Sequence, residues 1–168
     1  TDLGNGYQRI TCNLDATGND FGLAFIDVID VQGVGNIPNL TNLYLYGNLL
    51  TQFDISLPNS LRYLGLGSNQ IVTFNPSIAL PSSLQYLDLP GNQIVTFNPT
   101  VALPNSLNYL WLYDNQMTTA GYTASEPWAN AMSFIAGRGY VDFTNNINSA
   151  SGTTLETILI SKGWSVVP

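Results

Sequence analysis

The sequence predicts an α/β solenoid, in which stacked units of similar structure share one parallel sheet of short strands. Three observations predict it: one phrase recurs at a nearly constant interval, apolar residues alternate within it, and proline interrupts the connecting segments. The phrase LPNSLRYLGLGSNQIVTFNP, at residues 57–76, returns at 80–99 as LPSSLQYLDLPGNQIVTFNP. Because one such unit cannot bury its apolar face alone, neighbouring units are expected to stack.

Four copies of a shorter motif set the register of the repeat. They begin at Leu40, Leu61, Leu84 and Leu107, in steps of 21, 23 and 23 residues, and each matches L-x-x-L-x-L-x-x-N. A period of about 20–29 residues with this motif is typical of leucine-rich repeats. The chain resembles a leucine-rich repeat solenoid over residues 23–168. The resemblance implies a right-handed coil whose short parallel strands line a concave face.

Each motif contains an L-x-L alternation, which predicts a short strand with one buried face. The inward leucines, such as Leu43 and Leu45, are expected to stack from coil to coil into a continuous core. The motif ends on an asparagine, at Asn48, Asn69, Asn92 and Asn115. In the family this side chain turns inward, and a buried amide needs hydrogen-bond partners, which the backbone of adjacent coils would supply.

The far side of the coil carries one phenylalanine in each of the first three units. Phe53, Phe74 and Phe97 each lie five residues beyond the asparagine, whereas the fourth unit has Ala120 there. We expect the three rings to stack as an internal spine opposite the strands. The connecting segments NPSIALPSS and NPTVALPNS each contain two prolines, which exclude a regular helix and predict extended or 3₁₀ structure.

The chain beyond Asn115 departs from the repeat, as the terminal unit of a solenoid must in order to cover the core. The stretch SEPWANAMSFIAGRG predicts a helix with Ser125 as its N-cap and Pro127 in its first turn. Gly137 or Gly139 would end this helix.

A degenerate fifth strand and a second helix complete the predicted C-terminal cap. YVDFTNN, at 140–146, restores the alternation with Val141 and Phe143 inward. The second helix is expected over Thr154–Ser161. Asn146 lies at the position of the repeated asparagine, and Trp164 and Val166 are expected to close the core.

The N-terminal segment is less regular than the rest. Leu23, Ile26 and Val28 have the spacing of the motif leucines and predict the first strand of the sheet. Residues 1–22 are rich in Gly and Asn and fit either a capping loop and strand or an attachment arm. We therefore predict a single domain, with an N-terminal cap or arm at 1–38, four core repeats at 39–120, and a degenerate repeat with a C-terminal cap at 121–168.

The outward strand positions would form the surface of the concave face and supply the candidate binding residues. Eight of these 15 positions are Tyr or Trp, against an aromatic share of 11% in the whole chain. The first column reads Asn42, Tyr63, Tyr86, Tyr109 and Tyr140; the second Tyr44, Gly65, Asp88, Trp111 and Asp142; the third Tyr46, Gly67, Pro90, Tyr113 and Thr144.

This aromatic surface has two interpretations. The repeated tyrosines of the first column are explained equally well by rings that stack and stabilise the sheet and by ligand binding. Gly65 and Gly67 predict a shallow depression suited to a sugar ring or a loop tip. A second patch comprises Tyr44, Tyr46, Tyr109, Trp111 and Tyr113. This patch is not a copy made by the repeat, and it favours the binding interpretation because Tyr and Trp are enriched at binding hot spots.

Asp88 and Asp142 share the second column, with Trp111 between them. Paired carboxylates beside aromatic rings are typical of glycoside hydrolysis, but acids two strands apart lie about 10 Å from each other, which is at or beyond the useful range. We therefore predict no enzyme but a ligand-binding concave face, formed by Tyr44, Tyr46, Tyr63, Tyr86, Asp88, Tyr109, Trp111, Tyr113 and Asp142.

The composition excludes several classes of function. Only 9% of residues are charged, the net charge is −7, and four basic residues cannot neutralise a run of phosphates, so neither nucleic acid nor an anionic membrane is an expected partner. Without histidine, and with Cys12 as the single cysteine, zinc sites and histidine-dependent triads are excluded, and we expect no metal or cofactor. No apolar run approaches the roughly 18 residues that would span a membrane.

The phrases LPNSL and LPSSL and the ending ISKGWSVV resemble leucine-rich repeat proteins of bacteria and bacteriophages. Such members serve in adhesion, in host recognition or as appendages of larger assemblies. The resemblance implies an extracellular, cell-surface or virion protein. Its aromatic concave face is expected to bind a protein loop or a neutral glycan, and self-association is a further expectation. The alternative is a structural decoration or appendage subunit of a phage virion or a bacterial surface assembly.

Overall fold

The computed structural model describes residues 8–11, 20–22 and 28–168, with side chains at Asp20 and throughout 33–168. Within these ranges the chain forms nine strands, two α-helices and a 3₁₀ helix at Val34–Asn36. The strands are β1 (Gln8–Thr11), β2 (Asp20–Gly22), β3 (Val28–Gln32), β4 (Asn42–Tyr44), β5 (Tyr63–Gly65), β6 (Tyr86–Asp88), β7 (Tyr109–Trp111), β8 (Gly139–Asp142) and β9 (Trp164–Val167). The helices are α1 (Thr119–Ala131) and α2 (Thr154–Ser161).

Seven of the strands in the described part of the chain form one open parallel sheet, in the order β2-β4-β5-β6-β7-β8-β9. Equivalent motif leucines pair directly, since Leu64 lies opposite Leu43 on one side and opposite Leu87 on the other. The connections between β4, β5, β6 and β7 are irregular, with neither helix nor strand. The predicted α/β solenoid is therefore confirmed, and each repeat advances the sheet by one strand.

The edge strand next to β4 differs from the prediction. It is β2, in which Phe21 pairs with Leu43, whereas Val28 belongs to β3, which pairs with β1 in a separate two-stranded parallel sheet. The prediction that Leu23, Ile26 and Val28 supply the first strand is therefore wrong. Leu23 and Ile26 themselves lie outside the described residues. β2 is as short as β4 but lies outside the repeated motif, so no recurring pattern in the sequence marks it.

Asn69, Asn92 and Asn115 bind the backbone of neighbouring coils, as predicted. Asn69 is buried, and its Nδ2 donates to Leu45 O of the preceding unit at 2.8 Å and to Leu66 O of its own unit at 2.9 Å. Its Oδ1 accepts from the amide of Leu50 at 3.1 Å. The same pattern recurs at Asn92, Asn115 and Asn146. Each asparagine thus satisfies polar backbone groups that the buried turn would otherwise leave unpaired.

The phenylalanine spine is also confirmed. The ring centroids of Phe53 and Phe74 lie 6.3 Å apart, and those of Phe74 and Phe97 lie 5.9 Å apart, with nearly parallel planes. In the fourth unit Ala120 is exposed, and Trp128 of α1 packs edge-on against Phe97 at 5.1 Å instead. The aromatic stack is thereby carried from the repeats into the C-terminal cap.

Helix α1 begins earlier in the chain than the sequence predicts. Its N-cap is Thr118, whose side chain accepts from the amide of Gly121 at 3.2 Å, and Pro127 lies well inside the helix. Ser125 is not the N-cap but a buried residue whose hydroxyl donates to Gly121 O and accepts from the amide of Phe97. The hydroxyl that resembled a capping group therefore ties the helix to the spine.

Helix α1 ends at Ala131, before either glycine that was predicted to end it. Gly139 instead opens β8, with a φ of 134°. A Cβ at this position would lie 1.9 Å from Asn108 O, so only glycine allows β8 to approach β7 here.

The remainder of the cap follows the prediction. Helix α2 covers Thr154–Ser161, with the side chain of Thr153 accepting from the amide of Glu156. Val141 and Phe143 are buried, and Trp164 is buried in β9. Val166 is partly buried and packs against the core.

Candidate functional site

The concave face has the register that the sequence predicts. In the first column Tyr86 pairs with Tyr63 on one side and with Tyr109 on the other. In the second column Asp88 pairs with Gly65 and Trp111. Equivalent side chains therefore project from the same side of the sheet, one strand spacing apart.

The rings of the first column form a stack that ends beside a tryptophan. The centroids of Tyr86 and Tyr109 lie 4.7 Å apart with an interplanar angle of 1°, and Tyr63 lies 5.8 Å from Tyr86. The Trp111 ring lies 6.1 Å from Tyr86 and 5.7 Å from Tyr109. The three rings of Tyr86, Tyr109 and Trp111 are thus in mutual contact, with the indole tilted by 35° against both tyrosines.

Exposure differs along the face. Tyr109 and Tyr140 are the most exposed rings of the first column, at 36% and 38% of their surface. The other rings of the predicted set are half-buried, and they are Tyr44, Tyr46, Tyr63, Tyr86, Trp111 and Tyr113. Tyr140 stands in the first column of the sequence pattern but is not among the nine predicted residues, although it is as exposed as Tyr109.

Gly65 and Gly67 do not leave the depression that the sequence predicts. The ring of Tyr46 lies over Gly65, so a Cβ there would be 2.4 Å from Tyr46 Cζ and Oη. A Cβ at Gly67 would lie 3.2 Å from both Tyr46 and Pro90. The prediction of an open hollow is therefore wrong, because the two glycines make room for a side chain of the protein itself.

Tyr46 is held in this position by a buried carboxylate. The Asp88 side chain is buried, and its Oδ2 accepts from the hydroxyl of Tyr63 at 2.6 Å and from the hydroxyl of Tyr46 at 2.9 Å. The two hydroxyls also contact each other. Asp88 Oδ1 is buried with no hydrogen-bond partner among the described residues.

The electrostatics of this cluster favour its neutral form. Burial raises the pKa of the Asp88 carboxyl, although hydrogen bonds from Tyr63 and Tyr46 oppose the change. Burial likewise raises the pKa of both tyrosine hydroxyls.

The two acids of the predicted set, Asp88 and Asp142, differ in burial and in their hydrogen-bond partners. Asp88 lies beneath the rings of Tyr46 and Tyr63, while Asp142 is half-buried and accepts from the amide and hydroxyl of Thr144 at 2.9 and 2.8 Å. Both pair with Trp111, so one strand separates them. Whether any of the nine residues binds a ligand stays a prediction.

Among the described residues there is no group of three or more His, Cys, Asp or Glu placed to hold a metal ion. No helix in the same part of the chain is long and apolar enough to cross a membrane.

Comparison with protein families matches residues 38–94 to the family described as Leucine rich repeat. This segment covers the first repeats of the described sheet and agrees with the strand register given above. Leucine-rich repeats generally mediate protein binding, and they are typically not enzymes. No curated protein matches the chain.

Proposed function

We propose that this protein is a non-enzymatic binding module whose aromatic concave face recognises a protein loop or a neutral glycan at a cell surface. One observation carries the proposal: the packed cluster of Tyr86, Tyr109 and Trp111 remains partly exposed instead of being covered by the chain. Tyr and Trp combine a large apolar area with a polar group and few rotatable bonds, so they bind at low entropic cost.

The rest of the face supports the same role. Asp88 fixes the hydroxyls of Tyr46 and Tyr63, and the Tyr44 ring lies 5.1 Å from that of Tyr63. Rings held in place before a ligand arrives lose little freedom on binding. With only 9% charged residues in the chain, stacking and hydrogen bonding would dominate recognition, which suits an uncharged partner.

The setting that we propose is extracellular, on a bacterial surface or a bacteriophage virion. It is supported by the resemblance of the LPNSL phrases and of the C-terminal ending to bacterial and phage proteins. In that setting the partner would be a host or neighbouring surface molecule. A second copy of the chain is a further candidate.

The test compares binding by the intact protein with binding by Trp111→Ala and Tyr44→Ala. A glycan array and a cell-adherence assay would be run side by side, with Phe134→Ala as the control, because Phe134 is 65% exposed but lies outside the concave sheet. We expect each concave variant to lose about tenfold or more in affinity, and the control to retain it.

Equal binding by wild type and Trp111→Ala would overturn the assignment of this face. If the array is silent while adherence depends on Trp111, the partner is a protein. If neither assay responds, the structural alternative gains weight, and incorporation of the chain into a particle becomes the measurement of choice.

A further inference from the structure

A second surface feature lies away from the concave face, between a connecting segment and the C-terminal cap. A cavity of about 450 Å³ opens between residues 99–105, which link the third and fourth units, and the C-terminal end of α1. Its walls are mainly apolar, with one cationic side chain, and include Leu80, Val101, Leu103, Trp128, Met132 and Arg138.

Arg138 is the unusual member of this wall, because it is an arginine with only 2% of its surface exposed. Its Nη1 donates to Ser133 O and its Nη2 to Pro104 O, both at 3.3 Å, and these two acceptors belong to residues that also line the cavity. The guanidinium lies 5.0 Å from the Trp164 ring. No carboxylate pairs with it among the described side chains.

The surroundings of Arg138 hold more donors than acceptors. Arg138 Nε, Trp128 Nε1 and Trp164 Nε1 are buried, and none has a hydrogen-bond partner in the part of the chain described. Each Nη group also carries a second N–H beyond the one given to a carbonyl. A buried cation without an anion is costly, and burial accordingly lowers the pKa of Arg138. The missing component is a negatively charged acceptor.

We propose that this cavity binds a small carboxylic acid with an apolar body. The carboxylate would meet the guanidinium of Arg138, since two oxygens match its paired N–H groups and one negative charge balances one cation. The apolar body would lie along Leu80, Val101 and Met132. A cavity of this volume is within the range of small-molecule sites.

Hexanoate is a suitable probe, and hexanamide is its uncharged control. Each would be titrated into the intact, isotopically labelled protein to about 50 mM, because ligands of this size bind in the millimolar range. The indole N–H signals of the three tryptophans report the location. We expect saturable shifts at Trp128 and Trp164, no shift at Trp111, and about tenfold weaker binding of hexanamide.

Two variants make the test specific without disturbing the core. Ala102→Trp places a large ring at an exposed residue of the cavity wall and is expected to abolish binding. Ala79→Trp makes the same change at the equivalent exposed position one unit earlier, outside the lining residues, and should leave binding unchanged.

Three outcomes would overturn the proposal. They are the absence of saturable shifts with hexanoate, equal affinity for hexanoate and hexanamide, and unchanged hexanoate binding by Ala102→Trp. None of these outcomes involves the concave face, so the proposed function is tested separately.

Discussion

Asp88 shows how one residue can determine the shape of a surface without being exposed on it. Its carboxylate fixes the hydroxyls of two tyrosines, and one of these, Tyr46, covers Gly65. The result is a filled surface where the sequence alone suggested a hollow. The ordered position of Tyr46 and Tyr63 thus depends on a group that binds them from below.

The protonation of Asp88 leads to a prediction about stability. Burial raises its pKa above the ordinary value of 3.8. A carboxyl whose pKa is raised by folding contributes most when it is protonated, so its contribution is full below about pH 4 and falls as the pH rises through the folded-state pKa. We therefore expect wild type to lose free energy of unfolding relative to Asp88→Asn as the pH is raised from about 4 to 7.

Urea unfolding of both proteins at each pH would measure this difference. Asp142→Asn serves as the control. It makes the same substitution at a hydrogen-bonded aspartate of the same face that is only half-buried, whereas Asp88 is buried. A difference between wild type and Asp88→Asn that stays constant with pH would contradict the assignment.

At the scale of elements, helix α1 shows where local sequence signals mislead. The Ser-Glu-Pro stretch resembles a helix start, yet Ser125 bonds Gly121 O and the amide of Phe97 within the cap. Contacts with the repeats outweigh the local preference of Pro127 for a first turn. The same tertiary contacts were invisible in the sequence, because Phe97 lies 28 positions away from Ser125.

The true start of α1 can be tested by substitution. Thr118→Ala removes the oxygen that accepts from the amide of Gly121 and is expected to lower the free energy of unfolding by about 1 kcal/mol. Thr123→Ala is the control, since Thr123 is exposed inside the helix, and alanine there should change stability little. Thermal or urea unfolding would compare them. Equal effects of the two substitutions would argue against a helix that begins at Thr119.

At the scale of the whole molecule, the solenoid is a series of units in contact mainly with their neighbours. In such folds the free energy of unfolding approximates a sum of unit and interface terms. Deleting residues 80–102 would join Ala79 to Leu103, and the junction IA–LPNS would reproduce the existing motif. We expect a shorter, folded protein in which β5 pairs with β7 and the melting temperature is lower.

A deletion of half a unit, residues 91–102, is the matched control. It would place the motif leucines of β7 out of step with those of β6, and we expect it not to fold cooperatively. Circular dichroism and a thermal melt would distinguish the two. A full-unit deletion that fails to fold would show that the units are not interchangeable.

The repeat explains how much of the molecule was predictable. Three leucines and one asparagine recur in every motif, and one phenylalanine recurs in the first three units, so their shared roles reinforce one another along the chain. Features that occur once have no such support. They include the strand β2, the start of α1 at Thr118, the ring of Tyr46 over Gly65, and the buried Arg138, whose surroundings are assembled from distant segments.

The closeness of Trp111 to Tyr86 and Tyr109 has an optical consequence. At centroid separations of 6.1 and 5.7 Å, we expect excitation of these two tyrosines to be transferred to the indole. Other tyrosines of the first column would transfer their excitation to the same indole. Trp111 is therefore the expected fluorophore of the concave face. A ligand that binds there would change the emission wavelength and intensity of this tryptophan.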